Sequence, residues 1–219
     1  MEKEFKELKK DEYFKFFESL FEAKITNKRG CFVDLYEAIE YKNQKNFILD
    51  DGVAGYSIKD GNLVGVHKNP VKAKEKGYGK ISDILLLSAL KNGADVVDCY
   101  GDFLVNMYMQ YGFIPVGMMK FDKSYNETWD EQKFGLPDVV ALCRAVRNED
   151  EIKELRASSK MLTFSQVKNR IPRFDNYERM LQDRDDVFYQ IAENNLSYKQ
   201  TTEWLYGDEE IDIFEYEHE

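Results

Sequence analysis

A mixed α/β sheet, mostly antiparallel with one parallel pair and flanked by helices, is the architecture this chain predicts. Three observations carry that expectation. Between residues 47 and 66, short β-like runs alternate with Asp-Gly turns, the pattern of an antiparallel meander. From 81 to 121 an apolar helix, a strand, a helix and another strand follow closely, a spacing that makes a parallel pair with a crossover helix. Of the 219 residues, 43% are hydrophobic and 14% aromatic, which supplies a core and excludes wholesale disorder.

In chain order, residues 3 to 24 read as an amphipathic helix. Phe5, Leu8, Phe16 and Leu20 recur at helical spacing, with Lys and Glu between them, until Asn27 to Gly30 break the pattern. The stretch 31–46 is ambiguous and leans helical over 35–41. Strands are expected over 47–49, 54–58 and 63–66, joined at Asp51-Gly52 and Asp60-Gly61-Asn62. A lysine-bearing loop spans 68–80. A nearly all-apolar helix over 81–90 closes at Asn92-Gly93. Then come a strand over 95–100, a helix over 102–111 stopped by Gly112, and strands over 113–121 and 138–146. From Asn148 the composition turns to charged helical sequence, and 208–219 is dominated by carboxylates. The expected division is a domain over 1–147, made of a helical N-terminal region (1–46) and a core (47–147), plus a mainly helical extension over 148–219.

Charge narrows the partners. With 31 Lys+Arg against 41 Asp+Glu the net charge is −10, and the pI is near 4.9. Phosphate binding rests on a positive excess, so nonspecific nucleic-acid binding by the whole chain is not expected. No apolar run approaches the roughly 20 residues of a membrane helix. The first residues mix both charge signs and carry no secretory apolar core. Cys31, Cys99 and Cys143 are few and widely spaced, which fits a reducing, cytoplasmic compartment. The two histidines, His67 and His218, lie at no zinc-ligand spacing from a cysteine, so no metal is expected. The acidic tail reads either as a solvated end or as a docking segment, with Ile211, Ile213, Phe214 and Tyr216 interleaved.

Two motifs carry the chemistry. Lys74-Glu-Lys76-Gly77-Tyr78-Gly79-Lys80 precedes the buried helix. Backbone N–H groups at a helix start, freed of side-chain bulk by glycine and ringed by lysines, make an anion site. The same residues also read as a solvated turn. The second motif is Tyr108-Met-Gln-Tyr111-Gly112-Phe113, where a helix gives way to a strand. At these residues the sequence resembles the GNAT superfamily of acyl-coenzyme A-dependent N-acyltransferases. That family carries a (Gln/Arg)-x-x-Gly-x-(Gly/Ala) pyrophosphate loop, followed about thirty residues on by Tyr-x-x-x-Gly-Phe. Asp98-Cys-Tyr-Gly-Asp and Leu136-Pro-Asp-Val-Val look, more narrowly, like the acyltransferase-like domains of bacteriophage and mobile-element proteins. A phage origin would place the protein in host cytoplasm.

The resemblance implies a sheet with a central splayed parallel pair and acetyl-coenzyme A as cosubstrate. Lys74, Lys76, Gly77, Tyr78, Gly79 and Lys80 would bind the pyrophosphate. A backbone N–H near Val66 would polarise the thioester carbonyl, a role that contributes ~3–4 kcal/mol. Tyr108 inherits the task of protonating the departing thiolate. The acceptor would be an amine of unknown identity. Two departures stand out: Gly101 occupies the place of a frequent Asn, and the fourth strand offers no Glu as base. His67 at the end of that strand is the candidate base, with Asp50 and Asp51 as weaker ones and a Cys99–His67 thiol route as a further alternative. The region from 148 would supply acceptor contacts, a protein-partner surface or a homodimer interface. The same departures also fit a catalytically inert, protein-binding module.

Overall fold

The computed structural model describes residues 4–126 and 128–207. The elements are β1 (Lys6–Glu7), α1 (Tyr13–Thr26), β2 (Lys45–Leu49), β3 (Ala54–Lys59), β4 (Asn62–Lys68), α2 (Pro70–Glu75), α3 (Ser82–Lys91) and β5 (Val96–Tyr100). They continue with α4 (Gly101–Met109), β6 (Phe113–Lys120), α5 (Glu131–Phe134), β7 (Asp138–Arg144), α6 (Glu149–Ala157), α7 (Phe164–Val167), α8 (Tyr177–Glu193) and α9 (Tyr198–Tyr206). Two compact units result. One holds the described residues up to Tyr100 with Lys120–Val139, the other Gly101–Met119 with the described residues from Val140. The described helices after 148 share a unit with α4.

In the first unit the strands run in the order β1-β2-β3-β4-β5. The first four pair antiparallel, and β5 lies parallel to β4. The mixed sheet expected from the sequence is present. The β4–β5 register pairs Asn62 with Val96, the first residue of each strand, and no later position among the described residues. Asp60 (φ 50°) and Gly61 (φ 82°) close the β3–β4 hairpin in the left-handed conformations that a two-residue turn requires. Further along, the register steps from Ser57↔Val64 to Gly55↔His67. Gly65 and Val66 thus oppose the single residue Tyr56, a bulge that bends β4.

Three expectations need correction. The amphipathic helix begins at Tyr13, not at residue 3. Lys6 and Glu7 pair with Ile48 and Phe47 as an edge strand, and Phe5 is buried. Local helical spacing there loses to a sheet partner some forty residues away. Likewise 68–80 is not one loop. Asn69 accepts hydrogen bonds from the Val71 and Lys72 amides and Pro70 takes the first helical position, so α2 forms within it. Residues 35–41 give a 3-10 helix at Ala38–Asn43 in place of an α-helix. Phe16, Leu20 and Tyr41 form a buried cluster where α1 covers the sheet.

In the second unit β7 lies beside β6. The chain at 172–174 runs along β6, with Met118 N–H on Pro172 O and Phe174 N–H on Met118 O, both at 2.9 Å. Gly117 leaves room for Phe174 and Met180, and the Tyr206 hydroxyl donates to Pro115 O at 2.5 Å. The C-terminal helices thereby cover backbone that an open strand would leave unpaired. The acidic stretch 208–219, including His218, lies outside the described residues.

Candidate functional site

The lysine–glycine segment joins the end of α2 to the start of α3. The Tyr78 amide donates to Ala73 O at 2.7 Å and the Gly77 amide to Lys74 O at 3.2 Å, with Gly77 at φ 69°. This is a Schellman closure of α2, which requires a left-handed residue at 77. Gly79 has no such duty. Its φ lies outside the left-handed region and a Cβ there would meet nothing within 4 Å. At α3 the residue before the first turn, Ile81, offers no side-chain cap. Ser82 Oγ is buried and has no hydrogen-bond partner among the described residues. An uncapped helix start presents partly unsatisfied N–H groups and a positive dipole end.

The lysines divide by partner. Lys76 Nζ lies 3.2 Å from Asp50 and 3.3 Å from Asp51, and its affinity for its proton is raised; burial opposes this, while the hydrogen bonds to both acids produce it. The Tyr78 hydroxyl donates to Asp50 at 3.2 Å. Lys72 reaches Glu22, and Lys68 donates to Gly79 O at 2.6 Å. Lys74 and Lys80 are exposed, with no ion-pair partner among the described residues. Asp50 and Asp51 therefore serve the lysines around them.

His67 sits at the end of β4 as expected, yet it is 5% exposed. Its Nδ1 lies 2.8 Å from Gly65 O and its Nε2 2.8 Å from Ser19 Oγ. A carbonyl only accepts, so Nδ1 carries the proton and Nε2 receives the Ser19 hydroxyl. Burial pushes the ring down to about 4, the Gly65 hydrogen bond opposing it and the Lys72 charge adding to it. The imidazole is a neutral link between α1 and β4. Both ring nitrogens are engaged, and Cys99 is partner to neither. Burial also lifts the Cys99 thiol well above its ordinary range, with the Asp98 charge adding to the effect. The thiol route has no geometric support. Val66, in the bulge beside His67, is half-buried.

Tyr108 belongs to the second unit, where it is 4% exposed on α4 with its ring edge-on to Phe113 at 5.9 Å. Asn106, two residues earlier, donates to Asp102 O and accepts from the Phe164 amide at 2.9 Å, which fastens α7 onto α4.

One group escaped the sequence reading altogether. Asp34, in the extended stretch before the 3-10 helix, receives the Tyr100 hydroxyl on one oxygen at 2.9 Å and the Asn126 amide on the other at 3.2 Å. Burial first, then the Asp98 charge, raises its carboxyl above the ordinary range, against the Tyr100 hydrogen bond. Asp98 and Tyr100 share one face of β5. Phe121 and Trp129 pack on Tyr100, each at 5.4 Å. Burial, then the Asp98 and Asp34 charges, also raises the Tyr36 hydroxyl. Partners 66 and 92 residues apart leave no local signal, and an acid between apolar neighbours (Val33-Asp34-Leu35) was the trace available.

Among the described residues no three His, Cys, Asp or Glu side chains gather as a metal site, and no helix is long and apolar enough to cross a membrane. No known family's model matches the chain, and no curated protein is significantly similar to it.

Proposed function

We propose that the chain is an acyl-coenzyme A-dependent N-acyltransferase, most simply an acetyltransferase acting on an amine. The observation that carries this reading is Gly79. Neither backbone conformation nor packing requires a glycine there, and it stands just before an uncapped helix start. Open space, the first-turn amides of α3, the orphaned Ser82 hydroxyl and the exposed Lys74 and Lys80 suit a diphosphate. The parallel β4–β5 pair, in register only at its first residues, supports the same reading. By the resemblance Tyr108 is the expected acid for a departing thiolate, and the bulge at Val66 the expected N–H donor to the thioester. His67, both of whose ring nitrogens are engaged, gives way as candidate base to Asp34, a half-buried carboxylate that keeps further lone pairs beside the bonds from Tyr100 and Asn126.

A second reading has its own support. Gly77 caps α2 and Lys76 is held by two carboxylates, so much of the segment is accounted for without a ligand. That favours an inert acyltransferase-like module.

Calorimetric titration with acetyl-coenzyme A decides between the two. Binding in the micromolar range, followed by acetyl transfer to an amine panel, is the expected outcome, and Asp34→Asn lowers turnover at least tenfold while binding persists. A folded chain with no affinity for the cosubstrate establishes the inert module.

A further inference from the structure

The peptide group between Gly79 and Lys80 has two polar ends and little to hold them. No left-handed conformation is imposed on Gly79, and a Cβ there would meet nothing within 4 Å. Glycine lets a peptide plane rotate at little cost. Either end could therefore face a ligand at the start of α3, and the choice decides what binds. A carbonyl oxygen repels a phosphate, whereas an N–H attracts it.

Lys68 makes that choice. Its Nζ donates to Gly79 O at 2.6 Å, the one hydrogen bond on this peptide group among the described residues. The peptide is trans, so the Lys80 N–H points to the side opposite the held carbonyl. The anchor is firmer than the loop it holds. Lys68 ends β4, where it pairs with Ala54 of β3 and its carbonyl accepts from Asn27 Nδ2 at 3.3 Å. The next residue, Asn69, donates its amide to Val53 O at 2.9 Å.

The neighbouring lysines are placed differently. Lys72 holds Glu22, and Lys76 holds Asp50 and Asp51. Lys74 and Lys80 are exposed, and among the described residues their side chains donate to no carbonyl. Lys68 is half-buried and forms no ion pair among the described residues, so an acid does not draw it away from the loop. Orientation, more than charge, is what it supplies, since Glu75 and Asp83 on the same segment offset part of the lysine excess.

We propose that Lys68 is a positioning residue of an anion site at the start of α3: by holding the Gly79 carbonyl it keeps the Lys80 N–H turned toward a bound diphosphate. This role rests on the diphosphate reading of the segment and adds to it a β4 residue from outside the 74–80 motif.

The test is calorimetric titration of the full chain with acetyl-coenzyme A and with inorganic pyrophosphate, each at low and at high salt. Lys68→Met keeps most of the side chain and removes the donor; it weakens both probes about tenfold at either salt, with the circular dichroism unchanged. Lys68→Arg, which can still donate, returns the affinity to within about threefold of wild type. Lys74→Met weakens binding at low salt only, because salt screens a point charge and leaves a fixed geometry alone. In amide NMR spectra, pyrophosphate moves the Lys80 resonance of wild type and not that of Lys68→Met. Wild-type affinity in Lys68→Met overturns the proposal and leaves the diphosphate site standing. A loss confined to low salt also overturns it, by reducing Lys68 to a point charge. A wild type with no affinity for either probe overturns the diphosphate reading and this role with it. Pyrophosphate binding that Lys68→Met loses, in a chain that ignores acetyl-coenzyme A, upholds Lys68 and overturns the acyltransferase.

Discussion

The joint around His67 and the segment around Gly79 are both glycine-rich and lie a dozen residues apart, yet their glycines do opposite things. At the joint, a Cβ on Gly52 would stand 2.7 Å from Ser19 Oγ, one on Gly55 2.9 Å from both His67 Nε2 and Phe47 O, and one on Gly65 3.2 Å from Phe16. These glycines are absences filled by protein. At 77 and 79 a Cβ would meet nothing within 4 Å. A glycine whose space the fold occupies is explained by packing. One whose space stays open, with no left-handed backbone to require it, is not explained by packing.

The contrast breaks most visibly at the joint. Gly55→Ala drives a methyl into a backbone carbonyl and a buried ring, so about 3 kcal/mol of stability is lost by urea unfolding. A loss below 1 kcal/mol would show that the joint is not tightly packed. Next in size is a pH effect. The His67 ring titrates near 4 in the folded chain against an ordinary value near 6.5, so the unfolded chain binds the extra proton first. Its contribution is complete above 6.5 and is lost as pH falls from 6.5 toward 4. Wild type should lose about 2 kcal/mol more than His67→Gln between pH 7 and pH 5. Equal losses in the two proteins would place the imidazole in contact with water. Smaller again is Gly77→Ala. No atom is met, but a φ of 69° disfavours any side chain, so about 1 kcal/mol is lost.

The strands and their order along the chain were legible because Asp-Gly turns and β-rich runs are local signals. Asp60-Gly61 takes the conformation its composition demands. The start of the chain misled, since Phe5 and Leu8 at helical spacing flank an edge strand whose partner, Phe47 and Ile48, no window of sequence reveals. The Asn69-Pro70 helix start was readable in principle, but the lysines drew attention away from it. At the candidate site the motif positions were legible and their environments were not. His67 looked like an accessible base at a strand end. Its burial comes from α1, forty-eight residues earlier, which brings Ser19 to the ring. Asp34 was invisible for the same reason, because a carboxyl's proton affinity is set by long-range neighbours such as Tyr100, Asn126 and Asp98.

The smallest expected change in stability is the most informative about function. Gly79→Gln places a side chain into open space at a backbone conformation that does not call for glycine, so stability should shift by no more than about 0.5 kcal/mol. If that space exists for a diphosphate, the same side chain blocks the approach to the amides at the start of α3, and acetyl-coenzyme A affinity should fall at least tenfold, about 1.4 kcal/mol. The two readouts must separate. A variant that loses stability and affinity together would move Gly79 into the class of Gly55, a packing glycine. A variant that keeps both would leave Lys74 and Lys80 as a solvated turn and move the search for a cosubstrate away from α3. Only loss of binding at constant stability upholds the distinction between the two kinds of glycine.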